Sequence, residues 1–101
     1  MPIAVLTLEI RIEGAHSLKD KRQVVRSLKD RLRSKFNIGV AELEQTDLWQ
    51  RATVGVVSIS SSRDYLQGLM ANVEREAGRV TSSNGGEITD SFVEFLQESG
   101  E

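Results

Sequence analysis

Three features of the 101-residue sequence predict an α+β domain with the element order β-α-β-β-α-β. Two long stretches repeat apolar residues at helical spacing. Four shorter ones alternate or are rich in β-branched residues. Gly, Asn and Ser clusters punctuate them. Two strand–helix–strand crossovers around one central hairpin lead to a two-layer sandwich, with four antiparallel strands in the order 4-1-3-2 and both helices on one face.

Each element has its own signal. Residues 3–13 alternate, with Ala4, Leu6, Leu8, Ile10 and Ile12 on one side, and Gly14 ends the run. Residues 17–36 place Leu18, Val25, Leu28, Leu32 and Phe36 on one helical face, and Asn37 stops them. Residues 38–44, "IGVAELE", read as a second strand, and "QTDLWQ" turns the chain. Residues 51–60, "RATVGVVSIS", form a β-branched third strand. Leu66, Leu69, Met70, Val73 and Ala77 mark a second helix, expected to start near Ser61 and stop near Gly78. "TSSNGG" reads as a loop, and residues 87–96, "EITDSFVEFL", as the last strand. The expectation is one ferredoxin-like domain over residues 1–101.

Composition narrows the chemistry. The absence of Cys excludes disulfides and thiolate zinc sites, and one His cannot build a histidine-rich metal centre. No metal and no cofactor are expected. No apolar run approaches the length of a membrane span, and no basic segment precedes an apolar one at the amino terminus. The expectation is a cytoplasmic protein with no membrane partner. The net charge of −2 conceals an asymmetry. Residues 19–35 hold eight of the thirteen Lys and Arg against Asp20 and Asp30 alone, so that segment is +6 and the remainder −8.

The motifs "HSLKDKRQVVRSLKDRLRSKFN", "VAE" and "DLWQRA" are similar to those of the YlxP-like family of small bacterial proteins of unknown function. The resemblance covers nearly the whole chain. It implies a ferredoxin-like fold and a bacterial cytoplasmic protein. Members tend to be encoded near translation and ribosome-maturation genes, which implies work on RNA or the ribosome. It supplies no catalytic residues.

Within "HSLKDKR", Ser17 suits a helix N-cap and Asp20, three residues on, suits its reciprocal partner. His16, Lys19, Lys21 and Arg22 do not fit that role. Cations at a helix N-terminus oppose the macrodipole unless an acid or an anion compensates. Asp47, Glu13 and Glu44 are the acids expected nearby. Trp49, the single Trp, sits in the hairpin expected at the same end, where it either covers the core or offers a stacking face. With Gln50 and Arg51 it extends the candidate anion site.

Lys19, Arg22, Arg26, Lys29 and Arg33 recur at spacings of 3, 4, 3 and 4, within an arc of roughly 80° beside the apolar face. Either acids of the second helix (Asp64, Glu74, Glu76) neutralise this stripe, or a phosphate backbone lies along it. Five phosphate contacts would give a log–log salt slope of about −3.5 to −4.5.

A two-layer sandwich leaves one sheet face uncovered. The inner face is expected to take Leu6, Leu8, Ile10, Ala41, Leu43, Val54 and Val56. Ile3, Val5, Ile38, Val40, Val57 and Ile59 are expected to form an exposed apolar patch that mates with a second copy of the chain. Strands 1 and 3 lack the aromatic residues with which RNA-recognition motifs stack bases, so any RNA contact falls to the first helix and the loops. Glu42 and Glu44 read as guards of an edge strand rather than as an acid–base pair.

No nucleophile–base pair, P-loop or GxGxxG stands out, and no catalytic residue is assigned. The leading reading is a non-enzymatic module contacting RNA or ribosomal particles through the first helix and neighbouring loops. The second is a sensor of a small anionic metabolite at His16, Lys19, Lys21, Trp49 and Arg51. The third is a structural homodimeric interaction protein, and hydrolase or transferase activity at the His16 end comes last.

Overall fold

A computed structural model describes residues 1–44 and 48–96. Six elements follow in order: β1 (Ile3–Ile12), α1 (Leu18–Lys35), β2 (Gly39–Glu44), β3 (Arg51–Ile59), α2 (Arg63–Ser83) and β4 (Gly86–Leu96). The strands form one sheet in the order β2-β3-β1-β4, with every neighbouring pair antiparallel. This is the expected ferredoxin-like arrangement.

The alternation of β1 explains why it lies at the centre. Ala4, Leu6, Leu8, Ile10 and Ile12 are all buried, opposite Val54 and Val56 of β3 and beneath Val25, Leu28 and Leu32 of α1 and Leu66, Met70, Val73 and Ala77 of α2. These side chains make one continuous core between sheet and helices. Burial of this kind supplies ~25 cal/mol per Å² of apolar surface removed from water.

Both helices begin on a serine. Ser17 Oγ accepts from the Asp20 N–H at 3.1 Å, and the His16 N–H donates to Asp20 Oδ2 at 3.0 Å. Asp20 therefore acts reciprocally, but it reaches one residue further back than the usual capping box. In α2 the Tyr65 N–H donates to Ser62 Oγ at 3.1 Å.

Two expectations need correction. The second helix does not stop near Gly78 but continues to Ser83. Val80 and Thr81 extend its buried face beyond Ala77, and Thr81 Oγ1 donates to the Ala77 carbonyl at 2.6 Å. The stop comes at Asn84–Gly85, where Gly85 takes φ +80°, a conformation that glycine adopts without strain.

The second correction concerns which way β2 faces. Val40 lies opposite Val56 and Glu42 opposite Val54, so both point toward the helices. Val40 is buried, and Ile38 precedes the strand and packs partly against the core. Neither belongs to the open face where the sequence pattern placed them. Ala41 and Leu43 are exposed there instead, and Leu43 lies across Gly55, where an added Cβ would meet its side chain at 2.9 Å. The cause is a charged pair. Glu42 faces inward because Lys21 of α1 lies above it, Nζ to Oε2 3.7 Å.

Candidate functional site

Helix α1 has two flanks beside its buried face, and they differ electrostatically. On the α2 side, Arg31 Nε donates to Glu76 Oε2 at 2.8 Å and Lys35 Nζ to Glu76 Oε1 at 3.0 Å. Arg79, one turn further along α2, donates to both oxygens at 2.9 Å. Glu76 is 4% exposed and serves three cations at once. The hydrogen bond from Arg31, then those from Arg79 and Lys35, hold its pKa down at about 2.

The other flank carries Lys19, Arg22, Arg26, Lys29 and Arg33. All are exposed except Lys29, which is half-buried. Among the described residues, no carboxylate comes within 4.0 Å of any of the five. The expected compensation from α2 goes elsewhere: Glu76 to the opposite flank, and Glu74 to Ser91, whose Oγ donates to it at 2.6 Å. Arg33 makes the one polar anchor of the stripe, Nη2 to the Val40 carbonyl at 3.1 Å. That bond places the lower end of the stripe beside β2, an edge strand. From Lys19 to Arg33 the stripe is about 21 Å long, with a cation every ~4.5 or 6 Å.

The upper end divides the remaining candidates. Lys21 is turned away from the surface. It is 3% exposed, lies near Glu42 and donates through Nζ to the Leu48 carbonyl at 3.1 Å. His16 is exposed, and Ser17 is occupied as the cap. Asp47 and the side chain of Glu44 lie outside the described residues. Trp49 is 48% exposed, beside the exposed Leu48, so it does not cover the core. Its turn is fastened to β1: the Ile12 N–H donates to the Gln50 carbonyl at 2.9 Å and Gln50 Nε2 to the Glu13 carbonyl at 3.4 Å. Leu48, Trp49, Gln50 and Arg51 line an open hollow of about 430 Å³.

Arg51 stands on the open face of the sheet, opposite Arg11. The fold therefore separates it from Lys19 and Arg22, which lie on the helical layer. Around it the open face is polar, and β4 adds Thr89 and Asp90, which the sequence pattern did not place there. Glu9, Arg11, Arg51, Thr89 and Asp90 surround a hollow of about 270 Å³ at a bulge between β1 and β4. Thr53 Oγ1 donates to Glu9 Oε1 at 2.7 Å, and Arg11 lies 3.7 Å from Glu87. Only the pairing register brings these residues together.

Lower on the same face, Leu43, Val57, Ile59, Phe92 and Leu96 are between 43% and 58% exposed, with Ile3 and Val5 half-buried among them. Ile59, Ile3 and Leu96 form one row across three strands, and Val57, Val5 and Glu94 the next, so one carboxylate stands within the apolar rows. Among the described residues, no group of three or more His, Asp or Glu side chains is placed to hold a metal ion, and no helix is long and apolar enough to cross a membrane.

Similarity to known proteins agrees with these features at the level of family and fold. Residues 3–93 match the family described as "Protein of unknown function (DUF503)". The uncharacterized protein YlxP of Bacillus subtilis (strain 168) is 36% identical over 87 residues, which cover 86% of this chain and 82% of that protein. A dimeric protein of unknown function and ferredoxin-like fold from Bacteroides fragilis superposes with a TM-score of 0.56 at 11% identity, over 96% of each chain. A C-terminal segment of the alpha subunit of aIF2 from Pyrococcus abyssi gives a TM-score of 0.52 at 14% identity. This chain spans only 53% of that segment, and the likeness shows the fold alone. The resemblance drawn from the α1 and hairpin motifs is borne out, and the chain belongs to the DUF503 family.

Proposed function

We propose that this protein is a non-enzymatic RNA-binding module whose phosphate-contacting surface is the basic flank of α1. One observation carries the reading. Five cations in a row have no carboxylate partner among the described residues, while the cations on the other flank of the same helix share Glu76. Like charges three and four residues apart repel by ~0.2–0.5 kcal/mol per pair. A helix that keeps such a row uncompensated is electrostatically suited to an external polyanion. Cations at regular intervals over about 21 Å suit a chain of phosphates better than one small anion. Against the metabolite-sensor reading stand the inward turn of Lys21 and the place of Arg51 on the open face of the sheet.

The test is binding of a structured RNA by the full chain as a function of salt. The expected log–log slope is about −3.5 to −4.5. A flat response, or no binding at low salt, overturns the reading.

The open sheet face supports a second reading of a different kind, self-association. Its lower rows are largely apolar, with Glu94 standing among them opposite Val5, and its upper rows set the cations Arg11 and Arg51 beside the acids Glu9 and Asp90. Such a face is complementary to itself under a two-fold axis in its own plane, so a second copy is the occupant it fits. The dimeric ferredoxin-like neighbour is in keeping with this. Sedimentation equilibrium is expected to give a dimer that Val57→Asp converts to a monomer. A wild-type chain that stays monomeric at high micromolar concentration overturns it.

A further inference from the structure

The geometry points to Trp49 as a stacking residue for an unpaired base, held in place by the buried pair Lys21–Glu42, so that the RNA engaged by α1 is single-stranded where it reaches the β2–β3 hairpin. This rests on the RNA-binding reading of the α1 stripe and specifies the class of RNA.

Three observations lead to it. The first is exposure against anchorage. Large aromatic side chains at a turn are ordinarily folded onto the core, yet Trp49 and its neighbour Leu48 are 48% and 59% exposed. The backbone around them is nonetheless fastened at three points: Lys21 Nζ to the Leu48 carbonyl, the Ile12 N–H to the Gln50 carbonyl, and Gln50 Nε2 to the Glu13 carbonyl. A flat indole between two anchored residues, Leu48 and Gln50, presents a stacking platform.

The second is a charged pair that the hydrophobic effect alone would not select. Lys21 occupies a position in the apolar period of α1, between Leu18 and Val25, and is 3% exposed. Burying a lysine is costly unless it is paired and hydrogen-bonded. Glu42 and the Leu48 carbonyl answer that requirement. Through them the helix that carries the stripe is tied directly to the residue before Trp49. Lys21 and Glu42 are thus positioning residues.

The third is continuity. Arg33 fixes the lower end of the stripe to β2 at Val40, and Lys21 fixes the upper end of α1 to the hairpin that follows β2. A strand whose phosphates follow Arg33, Lys29, Arg26, Arg22 and Lys19 upward arrives at the end of α1 that Lys21 ties to Leu48, next to the exposed Trp49. Within a duplex the bases stack on one another and, away from its ends, offer no free face, so along the stripe only an unpaired nucleotide can use the indole.

Because Trp49 is the single Trp, its fluorescence reads the contact directly. The probes are a single-stranded oligoadenylate of about twelve nucleotides and an RNA duplex of equal phosphate count. The single strand is expected to quench Trp49 emission on saturation, and the duplex is not. Trp49→Ala is expected to lower single-strand affinity about tenfold with an unchanged salt slope and unchanged duplex affinity, and Trp49→Phe to restore most of it. Lys21→Met combined with Glu42→Gln is expected to lower the fluorescence anisotropy of Trp49 and to erase the preference for single strands, again without altering the salt slope. If that pair fails to fold, Gln50→Ala loosens the same turn from the β1 side. RNA binding that depends on the stripe but neither quenches Trp49 nor responds to Trp49→Ala overturns the inference and leaves the RNA-binding reading intact. Absence of RNA binding at low salt overturns both. Retained anisotropy and strand preference in the Lys21 and Glu42 variant overturn the positioning role.

Discussion

The two flanks of α1 carry the same kind of side chain and treat it in opposite ways. On the α2 flank, Arg31 and Lys35 converge with Arg79 on one buried carboxylate, and the charge is balanced inside the fold. On the β2 flank, Lys19, Arg22, Arg26, Lys29 and Arg33 have no carboxylate within 4.0 Å among the described residues. The difference separates structural charge from interactive charge. A cation beside a second helix can be neutralised once and contribute to docking. The exposed cations above the edge strand meet no acid of the described residues, and an external anion can reach them.

The strongest way to break the comparison is to remove two cations from each flank and measure the same two quantities. Arg22→Gln with Arg26→Gln is expected to reduce RNA affinity about 30-fold at moderate salt and to take ~1.4 to 1.8 off the magnitude of the salt slope, while leaving the melting temperature unchanged or slightly raised. Arg31→Gln with Lys35→Gln is expected to do the reverse, leaving RNA affinity within about threefold and lowering the melting temperature. Equal losses of affinity from both pairs would mean that overall charge, not the flank, governs binding.

The next effect sharpens the structural side. Glu76 has a folded-state pKa near 2, below its ordinary value of 4.5, because three cations stabilise its ionised form. The group binds a proton more readily in the unfolded chain. Its contribution to stability is therefore complete above about pH 4.5 and is lost as pH falls toward 2. Glu76→Gln is expected to lower the melting temperature at neutral pH and to flatten the stability profile across that window, as followed by circular dichroism. A profile with the same acid slope in both proteins would assign the acid sensitivity to other carboxylates. Salt is expected to weaken RNA binding steeply and the Glu76 cluster little, since a nearly buried carboxylate is less screened than an exposed row.

How far the sequence disclosed these features depends on whether they are periodic. The alternation of β1 and the apolar repeat of α1 are local, and both elements form within a residue or two of their expected bounds. The stripe is also a period, and its five residues were legible for that reason. The facing of β2 was not. "IGVAELE" alternates tolerably in either register, and the choice is made by Lys21, some twenty residues upstream in the chain and directly above Glu42 in space. A clue was nonetheless present. Leu18, Lys21, Val25, Leu28 and Leu32 run at spacings of 3, 4, 3 and 4, so a lysine stands where an apolar residue belongs. Glu76 interrupts α2 in the same manner, between Val73 and Val80. A charge inside an apolar period announces a buried partner, but not which one, because the partner is set by how the elements are rotated against each other. The open-face group was legible in part: alternation puts Glu9, Arg11 and Arg51 on that face, whereas Asp90 depends on how β4 pairs across a bulge.

The smallest expected effect concerns the helix end that both flanks share. Ser17 caps α1 through the Asp20 N–H, and Asp20 returns to the His16 N–H. Ser17→Ala is expected to lower stability by about 1 kcal/mol, a shift of roughly 4–8 °C in melting temperature for a domain of this size. It leaves every cation of the stripe in place, so the salt slope of RNA binding is expected to stay the same. The two readouts distinguish a cap from a site. A phosphate bound at the first turn would lie against the free N–H groups that Ser17 and Asp20 organise, with Asp20 opposing it by charge. If Ser17→Ala leaves the slope intact, the row of side chains does the binding and the helix terminus is structural. If the slope falls by about one unit, a phosphate sits at the helix end and the stripe begins a turn earlier than Lys19.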